Sequence, residues 1–320
     1  MYGRLVCCVA AIGLALAALT GPSGAAEKLR VGKAVPEAFS FVPLDIGMQK
    51  GFFQKHGVAA ESIAFAGDAK MQQAMASDSI DVALGSGPAM AFIVKGSPVK
   101  GIAAMAGPPL LLTLIVRPDD TVKSVADLKG KRVSVSTVGS LTYWLVSETA
   151  RQQGWGPDGI VIAPMGATAP QIAALKRKEI DGMVTDISTA LNLERNGEAH
   201  ILMRFGDLVK DFHIHVIFAT NKAIAEKPEA LRGFLKGWFE TIAFMRANKA
   251  ESVAIAKDVI SKDAEITAET YHALMPMFSA DGRFDPKALA VLAKSYVELK
   301  VLDAEPDPKQ LYTEAFLPAR

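Results

Sequence analysis

At 320 residues, half of them hydrophobic, the chain has length and apolar content for two ordinary domains and a sizeable core. Its 35 basic and 34 acidic residues nearly cancel, and no basic run is interleaved with aromatics, which argues against nucleic acid as a partner. Beyond the N-terminus no stretch is long and apolar enough to span a bilayer, which argues against a membrane-spanning protein.

The chain opens with Arg4 followed by LVCCVAAIGLALAALT, an uncharged run of signal-peptide length and short for a membrane span. Gly24 and Ala26 are the small residues a signal peptidase needs, so residues 1–26 are expected to be a signal peptide cut after Ala26. The same run has a second reading as an N-terminal membrane anchor. Cleavage removes Cys7 and Cys8, the only cysteines, together with Arg4. The mature chain then has 34 residues of each charge, no thiol and no disulfide, and holds together by its core alone.

From residue 29 strand and helix patterns alternate. LRVGKA (29–34) reads as a strand and PLDIGMQKGFFQKHG (43–57) as a helix ended by Gly57. Strand-like SIAFA, DVALG and VKGIAAM are separated by helix-like AKMQQAMAS and PAMAFIVKG. After strand-like LLLTLIV (110–116) the alternation restarts with a short helix capped by Ser124, strand RVSVS and a helix from about Ser140 to Gln153. Strands GIVIAP, DGMVT and HILMRF alternate with helices APQIAALKRK and ISTALNLERN. The βαβα order predicts mainly parallel sheets with helices on their faces. From about Ala223 onward the period is helical throughout, with no convincing strand and no internal repeat.

Two α/β runs and a helical tail predict two lobes, with crossings near Ile115–Pro118 and Ile217–Asn221. Residues 27–115 and 218–320 would form a discontinuous first lobe, and 116–217 the second.

Several segments carry a family resemblance: LDIGMQKGFFQKHGV, SIDVALGSGPA, SVADLKGKRVSV, KRKEIDGMVTD and NKAIAEKPEALRGFLKGW. Their wording and order resemble the periplasmic solute-binding proteins of ABC importers, in the branch serving nitrate, sulfonates, taurine and thiamine-pyrimidine precursors. The resemblance covers nearly all of the mature chain. It implies an α/β, two-lobed periplasmic binding protein fold (type II) with a two-strand hinge and a ligand cleft between lobes. It also implies a periplasmic location, an ABC permease and its ATPase as partners, and a monomer without cofactor or catalytic residues.

Ligands of open α/β sheets bind beyond the carboxyl ends of strands, where helix starts leave N–H groups unpaired. Five such ends occur here, and they contribute Phe39, Ser40, Phe41, Asp68, Ser86, Gly87, Thr137, Gly139, Ser140, Thr142, Tyr143 and Asp186 as candidate ligand contacts. Ser86, Ser140 and Asp186 also have a purely structural reading as helix caps. In the stretch VSVSTVGSLTYW (133–144), small residues would let a ligand approach the backbone, and Tyr143 would wall it. His213 joins the candidates as a cleft hydrogen-bonding group; with His215 it forms an H-x-H pair on one strand face, without a third ligand for metal. Lys33, Lys70 and Arg204 are the candidate cations. No arginine stands in the candidate loops, which points away from nitrate or sulfate and toward a small organic acid, sulfonate or carboxylate, aromatic ones included. The alternatives are a pyrimidine-like ring, a same-fold enzyme, or a sensor subunit.

Overall fold

The computed structural model describes residues 26–119, 121–156 and 158–319. All of the expected signal peptide but Ala26, including Cys7 and Cys8, lies outside the described residues. Within them the chain forms two five-stranded mixed sheets flanked by helices. The first sheet begins with β1 (Glu27–Lys33), β2 (Val58–Ala64), β3 (Val82–Ser86) and β4 (Val99–Ala106). The second contains β5 (Leu112–Val116), β6 (Arg132–Val135), β7 (Val161–Pro164), β8 (Gly182–Asp186) and β9 (His200–Arg204). The chain then returns to the first sheet as β10 (His215–Thr220).

The strand orders are β2-β1-β3-β10-β4 and β7-β6-β8-β5-β9. In each sheet the strand arriving from the other lobe is antiparallel to both its neighbours, β10 to β3 and β4, and β5 to β8 and β9. The other pairings, of β1 with β2 and β3 and of β6 with β7 and β8, are parallel. The correspondence reaches single residues. Asp81 accepts the Arg30 N–H at 2.9 Å and returns its own N–H to the Arg30 carbonyl at 2.9 Å. Asp181 does the same with Arg132, at 2.8 and 2.7 Å. An Ile-Asp pair thus opens the third parallel strand in both lobes. Burial acts to raise the Asp81 pKa, but Arg30 and Lys227 beside it hold the carboxyl below its ordinary value.

The crossings fall earlier than the sequence predicts. β5 is paired along its length in the second sheet, Leu112 opposite Asp186 through Val116 opposite Gly182. β10 is paired in the first sheet from His215 onward. The chain therefore changes lobe at 107–111 and at 205–214, and not at Ile115–Pro118 or Ile217–Asn221. Gly107-Pro108-Pro109 marks the first change, since proline has no N–H to give a sheet ladder. The strand edges of LLLTLIV and HVIFAT look like connectors only because a crossing strand carries the same apolar, β-branched pattern as any other.

Two further expectations change. The predicted helix over 43–57 is two helices, Val42–Gln49 and Phe52–Lys55, divided at Gly51, whose φ of 72° is left-handed. The helical tail, expected in the first lobe alone, holds both lobes. Helix Pro228–Ala247 packs on the first lobe, with Phe234 stacked on Phe53 at 5.0 Å. Helix Ala264–Leu274 packs on helix Ile187–Arg195 of the second lobe, where Arg195 pairs with Glu265 at 3.3 Å and Glu269 at 3.4 Å. Tail segments also cover the edge of β4, which donates from Gly101 to the Leu311 carbonyl and from Ala104 to that of Gly282. The covering removes an exposed edge strand. No helix of the described residues is long and apolar enough to cross a membrane.

Candidate functional site

The carboxyl ends of β1, β3, β6 and β8 meet between the lobes, and two cavities lie there. One, of about 560 Å³, is bounded on the first lobe by Asp68, Ser86, Pro88 and Lys95. On the second lobe Thr137, Gly139, Ser140 and Leu141 close it. The other, of about 360 Å³, joins Phe39 and Ser40 after β1 to Asp186, Ser188 and Thr189 after β8. Each cavity is thus bounded by strand ends of both lobes.

The turn before helix Leu141–Gln152 folds on its own hydroxyls. Ser140 caps the helix, its Oγ accepting from the Tyr143 N–H at 3.2 Å and donating to the Thr137 carbonyl at 2.7 Å. The Thr142 hydroxyl accepts from the Ser136 N–H at 3.1 Å and lies 2.9 Å from Ser140 Oγ. Gly139 supplies the left-handed residue, φ 76°, that lets the chain turn so tightly. Capping therefore occupies Ser140, Thr142 and the Tyr143 N–H, and of the first helical turn it leaves the Leu141 and Thr142 N–H groups uncapped. Asp186 is a cap as well, accepting from Thr189 N–H at 3.0 Å, Thr189 Oγ1 at 2.7 Å and Ser188 Oγ at 2.5 Å.

Asp68 stands at the start of helix Asp68–Ala76, where its carboxylate accepts the Ser86 N–H at 3.0 Å. Enclosure pushes its pKa up, against the pull of Ser86 in the other direction. Neither Asp68 nor Lys95 has an ion pair among the described residues, so the larger cavity holds an uncompensated carboxyl and an uncompensated ammonium.

The remaining candidates take other places. Phe41 is buried, edge-on to His215 at 5.0 Å. Gly87 is sealed into packing: a side chain there would meet the His213 carbonyl at 1.8 Å, and its own carbonyl accepts from Tyr296 at 3.1 Å. Tyr143 lines a separate hollow with Trp144, Arg151 and Glu298. His213 lies before β10, so the two histidines do not share a strand face. Its Nε2 accepts from the Asp285 N–H at 3.0 Å and its ring is edge-on to Phe284, while burial pushes its pKa down. His215 has its Nδ1 3.3 Å from the Gly85 carbonyl, and burial drives its pKa to about 4. No group of three or more His, Cys, Asp or Glu among the described residues could hold a metal. Of the candidate cations, Lys33 is buried against Asp45 at 2.9 Å and Arg204 pairs with Asp207 at 3.2 Å.

The tail residues were missed. Val301 lines the larger cavity, and Ile260, Lys262, Thr270 and Leu274 line the smaller. They sit in amphipathic helical sequence far from any strand end, and no motif marks them.

A Haemophilus influenzae protein provisionally named for thiamine biosynthesis is 30% identical over 122 residues, 38% of each chain. The chain thus spans well under half the length of that relative. A Brucella abortus protein provisionally named a binding protein is 23% identical over 284 residues, covering 86% of this chain and 87% of its own. The fold matches the periplasmic aliphatic sulphonate-binding protein of Escherichia coli with a TM-score of 0.76 at 18% identity, over 90% of this chain and 92% of that one. The family described as NMT1/THI5 like matches residues 38–252, and the chain belongs to that family.

Proposed function

We propose that the protein is the extracytoplasmic solute-binding subunit of an ABC importer, capturing a small organic acid between its lobes and passing it to a permease. The observation that carries this reading is the larger cavity. It is bounded by both lobes, has a size suited to a small ligand, and takes in the helix start at Ser140 and Leu141 on one lobe and Lys95 on the other. A ligand there touches both lobes only when they are shut, so binding shifts the population toward closure about the 107–111 and 205–214 segments. Residues 1–26 act as a cleaved signal peptide, and the exported chain works as a monomer without turning its ligand over.

Asp68 favours a second reading. A carboxyl without a cation partner suits a ligand that brings N–H groups, as an amino-substituted pyrimidine-like ring would. The name of the Haemophilus influenzae relative fits that chemistry.

A thermal-shift panel of sulfonates, carboxylates and pyrimidines separates the two. A ligand at about 100 times its Kd adds roughly 2.7 kcal/mol of stability. Shifts with acids alone support the first reading, and shifts with pyrimidines alone the second. Chemical conversion of the bound compound would overturn both.

A further inference from the structure

Aspartates at the helix starts of this protein mostly cap their own helices. Asp186, Asp263 and Asp285 accept from the Thr189, Ile266 and Lys287 N–H groups at 2.8–3.0 Å. Asp68 does not. Helix Asp68–Ala76 has no side-chain cap, and the Asp68 carboxylate turns to the end of β3 instead, where it takes the Ser86 N–H. Apolar groups share that side of β3: a side chain on Gly85 would meet Asp68 Oδ1 at 2.8 Å, Met71 at 3.0 Å and Phe218 at 3.1 Å. Ser86 is the one group among the described residues that bonds the Asp68 carboxylate, and Lys70, on the same helix, is exposed.

Asp68 is half-buried and lines the larger interlobe cavity. On the other lobe stand Thr137, Ser140 and Leu141, at the helix start where an acid group would be held. Lys95 is the one other charged group lining this cavity, and it is exposed, so solvent screens it. A ligand carboxylate beside an ionised Asp68 would set two negative charges against that single positive one. Two carboxylates sharing an enclosed site do not both stay ionised. One proton removes the excess charge and turns the repulsion into a hydrogen bond between a neutral carboxyl and a carboxylate. Enclosure already pushes the Asp68 pKa up, so Asp68 is the group placed to hold that proton.

We propose that capture is proton-linked: an organic acid enters the larger cavity together with one proton, which Asp68 takes from solvent and donates to the ligand's carboxylate. This rests on the reading of the cleft as an organic-acid site, and within it the proposal selects carboxylates. A carboxylate accepts strongly from a neutral carboxyl, whereas a sulfonate spreads its charge over three oxygens and accepts weakly.

Benzoate is the probe, with benzenesulfonate as its counterpart; both are titrated calorimetrically into the full mature chain and into Asp68→Asn, between about pH 5.5 and about pH 8.5. The bound state holds Asp68 protonated, so parent affinity for benzoate is full below the unliganded Asp68 pKa and falls as pH rises through it, by up to about tenfold per pH unit. Up to one proton should be taken up per benzoate, read from the change in heat between buffers of different ionisation enthalpy. Asp68→Asn keeps an oxygen for the Ser86 N–H and offers the ligand an N–H at every pH. Its benzoate affinity should therefore stay level across the range and exceed the parent's at about pH 8.5 by about tenfold or more. Parent affinity that is level or rises with pH, without proton uptake, overturns the proposal whatever the variant does. Benzenesulfonate binding more tightly than benzoate at about pH 5.5 overturns it too, and the organic-acid reading survives either result. If benzoate binds at no pH the proposal falls, and the organic-acid reading falls with it only when no acid of the thermal-shift panel stabilises the protein.

Discussion

Replacing Glu298 by alanine tests whether the tail latches the lobes together. Helix Pro286–Glu298 is anchored on the first lobe by the Tyr296 hydroxyl on the Gly87 carbonyl. At its end Glu298 accepts from Trp144 Nε1 at 2.6 Å and from Arg151 at 3.0 Å, both on the second-lobe helix Leu141–Gln152. Trp144 is buried and also stacks on Phe212 in the second crossing, 5.6 Å between ring centroids. Leaving its indole N–H unpaired costs about 1–3 kcal/mol. The Arg151 side chain is 42% exposed, so screening leaves its ion pair about 0–1 kcal/mol. A loss of about 2 kcal/mol from the arrangement seen here is the expected sum, about 30-fold in an equilibrium constant. Calorimetric titration with the compound giving the largest thermal shift should show Glu298→Ala weakening binding by up to that factor. Glu298→Gln keeps an acceptor for Trp144 and should lose only a few-fold. X-ray scattering of the unliganded Glu298→Ala protein should give a larger radius of gyration than the parent. An unchanged affinity together with an unchanged radius refutes the latch.

Ser140→Leu places a bulky apolar group at the open helix start and removes the cap; binding should be abolished, with a stability loss near 1 kcal/mol by denaturant unfolding. Unchanged affinity would reduce the turn to a cap. Asp68→Asn keeps an acceptor for the Ser86 N–H but removes the ionisable group. The folded state raises the Asp68 pKa, so the parent loses stability as pH rises from the ordinary carboxylate value through the raised one. The variant should therefore gain on the parent at neutral pH and match it in acid; the reverse trend in paired unfolding curves refutes the assignment. His215 has the opposite sense. Its folded pKa lies near 4, so stability is complete above about pH 6.5 and is lost as pH falls toward 4, by on the order of 3 kcal/mol. His215→Phe should flatten unfolding midpoints across that window.

Strand ends and caps were legible because they rest on local chemistry. Ser124 with Asp127, Ser140 and Asp186 each satisfy backbone N–H groups within one turn, and a single sequence displays that pattern. The strand ends marked by Ser140 and Asp186, after β6 and β8, line the two interlobe cavities. What failed was what depends on the partner strand. Phe41 and Gly87 occupy the same kind of loop as Ser86, yet Phe41 packs on His215 of β10 and Gly87 against the His213 carbonyl just before that strand. The likeness of the two lobes escaped for a related reason. Its trace in side-chain identity is one short pair, Ile80-Asp81 and Ile180-Asp181, and the rest of it lies in strand order.

The tail shows why site residues and strand ends are not the same set. A hydroxyl in a helix has a default partner at the carbonyl four residues back, so Thr267 and Thr270 look alike in sequence. They differ only in the structure, where one takes that carbonyl and the other does not. The same tail reaches the larger cavity through Val301 and the second-lobe helix through Glu298. A segment that touches both lobes and both cavities senses their separation directly. The Glu298 bridge then favours the closed arrangement and is lost in the open one.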